Sequence, residues 1–401
     1  MIPRRKASIL LTCLLGSTLH ASCMQDDLAP TPLHEQNATD SVGLDETKTG
    51  ESGLNADAIE ELHQTMKAAV EEKTLSGIVV MIERDGVVGY RETLGLADIA
   101  AKQPMQMDTL FRIYSMTKPI VAVAAMSLWE EGAFTLDEPI SKHLPEWSNP
   151  KIRVRGEVVP AKTAITPRHL MTHTMGIKKG DVSPRQHLRS LESFSRELAE
   201  QPLASEPGTR YRYGHSIDVL GRYLEVIEGK SLDVILRERV LDPLGMTDTE
   251  FWLEDADDLE RTAQLYTTSK QGSLRLARSK RLLTRKPKAM LGGQGLLSTT
   301  EDYARFCRML ANKGSLDGTT VLEPETIELM QRNHLKDIGR TYGLGGWADG
   351  SGLYYWGGAA GTKFWVSTSD KAFGLFMVQR TGYETPAGKV FGGLSRRALE
   401  D

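Results

Sequence analysis

The sequence predicts an α+β, two-lobed fold: an antiparallel sheet built from both chain ends, flanked by helices, with a mostly helical insertion over about residues 120–288. Three observations predict it. Apolar, largely β-branched runs occur as a pair near the start of the chain and again as a pair near its end. A helix-periodic segment lies outside each pair. The stretch between the pairs is a series of helical patterns broken by Pro and Gly, without internal repeat.

A helix over 56–72 opens the domain, with Ile59, Leu62, Met66 and Val70 at helical spacing. Gly77 to Ile82 then forms a strand, Glu83 to Gly86 a turn, and Val87 to Leu94 the returning strand of a hairpin. At the far end, Lys363 to Ser367 and Phe373 to Gln379 are two further strands, and a helix from Pro386 to Glu400 closes the chain.

The first residues have the layout of a signal peptide. Arg4, Arg5 and Lys6 precede an apolar run, Ile9 to Leu19, that is too short to span a bilayer. His20 to Cys23 is close to a lipoprotein cleavage site with Cys23 as the acylated residue, although the usual Leu is displaced to Leu19. Cleavage after Ala21 is the alternative. The expectation is an exported protein, either a periplasmic or outer-membrane lipoprotein with a membrane tether through Cys23, or a freely secreted one. On this reading residues 1–22 are the signal, 23–54 a disordered polar tether, and 55–401 the domain.

Composition narrows the function classes. The 401 residues carry a formal net charge of −4, which provides no general attraction to nucleic acid. Cys13 lies in the signal and Cys23 at its edge, so Cys307 alone remains in the body and no disulfide framework is expected. No Cys/His cluster has zinc spacing, so neither a metal nor another cofactor is implied. The oligomeric state is not legible.

Tyr114 to Lys118 begins a segment that is apolar almost all round, from Ile120 to Trp129, and a helix without a polar face is a buried one. Pro119 is tolerated only in a first turn, so Ser115 belongs at the N-terminal tip, where backbone N–H groups favour negative charge. Residues three apart share a face, which brings the Lys118 amine within reach of the Ser115 hydroxyl. A serine needs such a base to become a nucleophile, and burial favours the neutral, basic form of lysine. The spacing alone is weak: Ser115 also suits an N-cap. A second match, Ser148 with Lys151, is set aside because Pro145 and Pro150 exclude a regular helix.

Further segments resemble a known family. Ser115 to Lys118 is similar to the S-x-x-K motif of serine β-lactamases and penicillin-binding proteins. Leu170 to Gly176, Glu206 to Tyr213, Asp242 to Thr249 and Gly292 to Asp302 follow in the order seen in the β-lactamase-related serine hydrolases, which include family VIII carboxylesterases. The resemblance covers about residues 55–395 and implies a β-lactamase/transpeptidase-like fold. It also implies roles. Tyr213, heading a second motif with Gly214 and His215, would share the proton with Lys118 and pass it to the leaving group. The third motif falls at Trp356, Gly357 and Gly358, with the backbone N–H of Ala359 and that of Ser115 forming an oxyanion hole.

Two departures from the family pattern bear on substrate. Trp356 stands where β-lactamases carry a lysine that holds a carboxylate, and His215 stands where an amide-binding asparagine is usual. The Trp-Gly-Gly motif is similar to that of family VIII carboxylesterases, so hydrolysis of a small-molecule ester or amide, esters first, is expected. A β-lactamase or D-amino-acid peptidase is the alternative on the same scaffold, and a non-catalytic envelope-binding protein the alternative of another class. His215 is either a substrate contact or proton relay, or a structural substitution at the pocket edge. His173 and Asp181 suggest a Ser-His-Asp triad, but no G-x-S-x-G occurs in the chain. The basic residues between Arg275 and Lys288 read as a solvated excursion or a contact for an anionic surface.

Overall fold

Seven strands interleave the two chain ends in one antiparallel sheet. β1 (Gly77–Arg84), β2 (Val87–Asp98) and β3 (Gln103–Pro104) come from the first part of the chain. β4 (Trp347–Ala348), β5 (Leu353–Gly357), β6 (Lys363–Ser367) and β7 (Ala372–Met377) come from the end. Their order is β4-β5-β6-β7-β1-β2-β3, and the seam between the two ends is the pairing of β1 with β7, Val79 opposite Met377 and Ile82 opposite Gly374. Both seam strands are buried on both faces, as their continuous apolar runs require. This computed structural model describes residues 46–177, 189–255, 257–278, 280–382 and 385–400.

The β1–β2 turn is tighter than the sequence predicts. Only Asp85 and Gly86 leave the ladder, both at positive φ (50° and 80°), as a two-residue hairpin prefers. Glu83 stays in the strand because its buried carboxylate is held by the Arg308 guanidinium at 2.7–3.0 Å.

Five helices matter for the layers: α1 (Ala56–Glu71), α2 (Thr117–Glu130), α3 (Ser216–Glu228), α4 (Thr300–Ala311) and α5 (Pro386–Arg397). On one face of the sheet, α1 and α5 bury Leu62, Met66 and Phe391 against Val80, Ile82 and Phe376. The other face is continuous with the larger core, where Val79, Met81 and Leu375 share a cluster with α2, α3 and α4. α2 is buried on every side from Thr117 to Met126, matching its lack of a polar face, and Gly132 follows its end at φ 76°.

One boundary differs from the expectation. The folded part starts before residue 55: a short helix, Glu46–Glu51, lies in the segment expected to be tether. The Thr49 hydroxyl donates to the Gly89 carbonyl at 2.8 Å, and Leu54 is buried; a Cβ on Gly89 would strike Ser52 and Leu54. One hydroxyl and one leucine fitted over a glycine anchor a segment whose composition is that of a linker. The mostly helical insertion also carries strands. It contains two hairpins, Lys151–Val154 with Glu157–Pro160 and Leu265–Thr268 with Leu274–Arg278, the first turned by Arg155 and Gly156 at positive φ. In the basic stretch, Lys280 donates to the Glu260 and Thr262 carbonyls and Lys286 lies over the Trp252 ring. The signal segment 1–22, Cys23 and Asp181 lie outside the described residues. Among the described residues no helix is long and apolar enough to cross a membrane.

Candidate active site

The nucleophile candidate is presented by strain and packing rather than by a helix cap. Ser115 lies in a single 3-10 turn, Tyr114–Met116, directly before α2, and Tyr114 is held at φ 44°. Two bonds from the block at 292–303 fix this turn. The Tyr303 hydroxyl donates to the Met116 carbonyl at 3.0 Å, and the Leu296 N–H donates to Thr117 Oγ1 at 3.1 Å. The N-cap of α2 is Met116, with no side-chain cap, so the Ser115 hydroxyl is not engaged in capping.

Lys118, in the first turn of α2, is buried and places Nζ 3.0 Å from Ser115 Oγ. The same Nζ donates to the Gly293 carbonyl at 2.5 Å and lies 4.8 Å from the centre of the Tyr213 ring. The Tyr213 hydroxyl donates to Ser115 Oγ at 2.6 Å. Serine, lysine and tyrosine thus share one short proton path, the geometry that nucleophilic catalysis requires. Ser148 and Lys151 do not meet these conditions: Ser148 is exposed after a turn and Lys151 begins a strand.

These groups open into a cleft of about 680 Å³ lined also by His215, Asp218, Trp356 and Ala359. Trp356 and Gly357 are the last residues of β5. The Trp356 ring stands 5.6 Å from that of Tyr213, forming an aromatic wall, and is backed at 5.3 Å by the buried Tyr342 ring. Gly358 is required by close approach, since a Cβ there would lie 2.4 Å from the Ile113 carbonyl on the segment leading to Ser115. Ala359 follows in the turn, exposed in the cleft, and its N–H makes no hydrogen bond among the described residues. The sequence-predicted residues Ser115, Lys118, Tyr213, His215, Trp356 and Ala359 are therefore brought to one place, with Gly357 and Gly358 shaping its edge.

One residue of the site was not singled out from sequence, and another, His173, was weighed there only as a triad member. Asp218, at 2% exposure, accepts from the Gly293 N–H at 2.8 Å and lies 2.9 Å from His215 Nδ1. Its three-residue spacing from His215 on α3 was the available signal. His173 follows a short helix, Pro167–Met171, at φ 55°, and packs its ring 4.7 Å from that of Tyr213. It is fully buried, neither ring nitrogen has a hydrogen-bond partner, and burial pushes its pKa well below the ordinary value, with Lys118 and His215 acting in the same direction. His173 is a neutral backing for Tyr213, not a triad member beside Ser115.

Comparison with known proteins agrees with this arrangement. The Beta-lactamase family model matches residues 62–391. Protein Rv1367c of Mycobacterium tuberculosis (strain ATCC 25618 / H37Rv) is 37% identical over 348 residues, covering 76% of this chain and 86% of its own. Esterase EstB of Burkholderia gladioli is 30% identical over 372 residues, covering 80% and 90%. The solved structure of EstCE1, described as a hydrolase with promiscuous acyltransferase activity, aligns with a TM-score of 0.73 at 25% identity over 86% of this chain and 98% of its own. By sheet topology, by the order of its motifs and by these matches, the chain belongs to the Beta-lactamase family.

Proposed function

We propose that the protein is a serine hydrolase that cleaves carboxylic esters through an acyl-enzyme on Ser115. The observation that carries this reading is the placement of Ser115 Oγ 3.0 Å from Lys118 Nζ and 2.6 Å from the Tyr213 hydroxyl, at the mouth of an open cleft. Ser115 attacks the ester carbonyl while Lys118 and Tyr213 take its proton and return it to the departing alcohol. The backbone N–H groups of Ala359 and Ser115 receive the developing oxyanion. The aromatic wall of Trp356 and Tyr213 favours acyl and alkoxy groups, and Trp356 offers no positive charge to a carboxylate.

A panel of p-nitrophenyl esters, nitrocefin and D-amino-acid amides tests it. Esters should turn over, nitrocefin weakly or not at all, and Ser115→Ala should abolish both. A Ser115→Ala protein that still cleaved p-nitrophenyl butyrate would sink the assignment. Inertness of the wild type toward fluorophosphonate probes would favour a binding protein instead. Acyl transfer to an alcohol is a second reading, favoured by the activity named for EstCE1; adding butanol should then divert acyl groups from acid to butyl ester. The leader at 1–22 supports export, and detergent partition of the wild type against Cys23→Ser separates a lipid anchor from free secretion.

A further inference from the structure

The acylation step uses Ser115, Lys118 and Tyr213 and leaves a second hydrogen-bonded pair in the same cleft without a task. His215 is the N-cap residue of α3 and Asp218 lies in its first turn, so their side chains meet. His215 Nδ1 is 2.9 Å from Asp218 Oδ2, and Asp218 Oδ1 accepts the Gly293 N–H at 2.8 Å. A carboxylate held by two donors only accepts, so Nδ1 carries the proton and Nε2 of the neutral ring is a free lone pair. Nε2 makes no hydrogen bond to a described residue and is open to solvent, on a side chain that lines the cleft. Phe194 fixes the ring edge-on at 5.1 Å.

The Gly292–Gly293 pair links this unit to the nucleophile. A Cβ on Gly292 would come 2.7 Å from the Ile217 carbonyl, so a glycine is needed there for the loop to lie on the start of α3, and one on Gly293 would press on the Asp218 carboxylate at 3.0 Å. Gly293 then gives its N–H to Asp218 and its carbonyl to Lys118. One buried carboxylate thereby sets the position of two bases.

We propose that His215, oriented by Asp218, is the general base that activates the acyl acceptor in the second half of the reaction; this rests on the Ser115 acyl-enzyme proposed above. Water enters where the alcohol has left. As its oxygen bonds to the acyl carbon, one of its protons passes to His215 Nε2. The tetrahedral intermediate collapses with cleavage of the bond to Ser115 Oγ, which takes the Tyr213 proton. The imidazolium proton returns through solvent to the phenolate. Hydrogen and hydroxyl are added across the acyl–serine bond and nothing else is consumed. Asp218 is a positioning residue in both half-reactions.

The test is burst kinetics with p-nitrophenyl butyrate and intact-mass spectrometry on His215→Ala and His215→Gln, using variants whose Ser115 still reacts with a fluorophosphonate. The expected result is a stoichiometric burst near the wild-type rate, a turnover lower by about 10²-fold, an accumulated butyryl adduct, and partial recovery of the Ala variant by added imidazole. Asp218→Ala should show the same adduct with a slower burst, because Gly293 loses the acceptor that holds its carbonyl on Lys118. Unchanged turnover in both His215 variants, or a burst that slows in step with turnover without adduct, overturns the proposal. Turnover by Ser115→Ala would instead remove the acyl-enzyme reading itself, so the two failures are distinct.

Discussion

Among single side chains, Ser115, Lys118 and Tyr213 divide one proton between them, and each removal should read differently. Ser115→Ala should reduce ester turnover to background. Tyr213→Phe keeps the ring against Trp356 and His173 but removes the hydroxyl 2.6 Å from Ser115, so kcat should fall about 10²–10⁴-fold with little change in KM, measured on p-nitrophenyl butyrate. His173 behaves as a stability element. Its imidazole is kept neutral by burial, whereas the unfolded chain binds a proton below about pH 6.5. Folding stability therefore falls as pH drops below that value, by about 1.4 kcal/mol per pH unit for this one group. His173→Asn, compatible with positive φ, should remove that part of the slope in urea titrations between about pH 5 and 7, leaving the smaller contributions of His169 and His334, whose pKa values are also lowered by burial. Ser115 with Lys118 was legible because both lie within one turn. Tyr213 and Ala359 were legible only through resemblance, since nothing local marks them.

Elements set the precision of the site through close backbone approaches. β5 ends on Gly357, and Gly358 passes against Ile113, just ahead of the nucleophile turn. Gly358→Ala should push the third motif away from Ser115, costing about 1–3 kcal/mol and most of the activity, as read by thermal melting and kcat together. Gly293→Ala tests a different contact. Its Cβ would press on the Asp218 carboxylate and shift the carbonyl bound to Lys118, so kcat should drop while the melting temperature changes little. The periodic elements were readable within a few residues: the seam strands from their apolar runs, and α2 from its lack of a polar face. The anchored segment at 46–54 and the two extra hairpins were not. They depend on a few fitted contacts over Gly89 and on positive-φ turns, which leave little trace in composition or period.

Across the whole molecule, the sheet and the helical layer are joined by an ion pair as well as by the core. Glu83 on β1 is 3% exposed and takes three hydrogen bonds from Arg308 on α4, whose pKa is raised by this carboxylate against the opposing effect of burial. Arg308→Met would leave that carboxylate buried and unpaired, and should destabilise the fold by about 3–5 kcal/mol in urea unfolding without altering the burst of the surviving protein. Replacing both partners by apolar residues should recover most of the loss.

Local spacing and apolar periodicity by themselves determined the strands near each chain end, the buried helix and the candidacy of the Ser115–Lys118 pair. Each of these is a short-range property that the chain carries in consecutive residues. Only the tertiary structure decided that Gly293 joins Asp218 to Lys118, that His215 is paired and open to the cleft, and that His173 backs Tyr213. Those contacts link residues up to 175 positions apart. They are selected by how layers pack, and no periodicity along the chain records such a match.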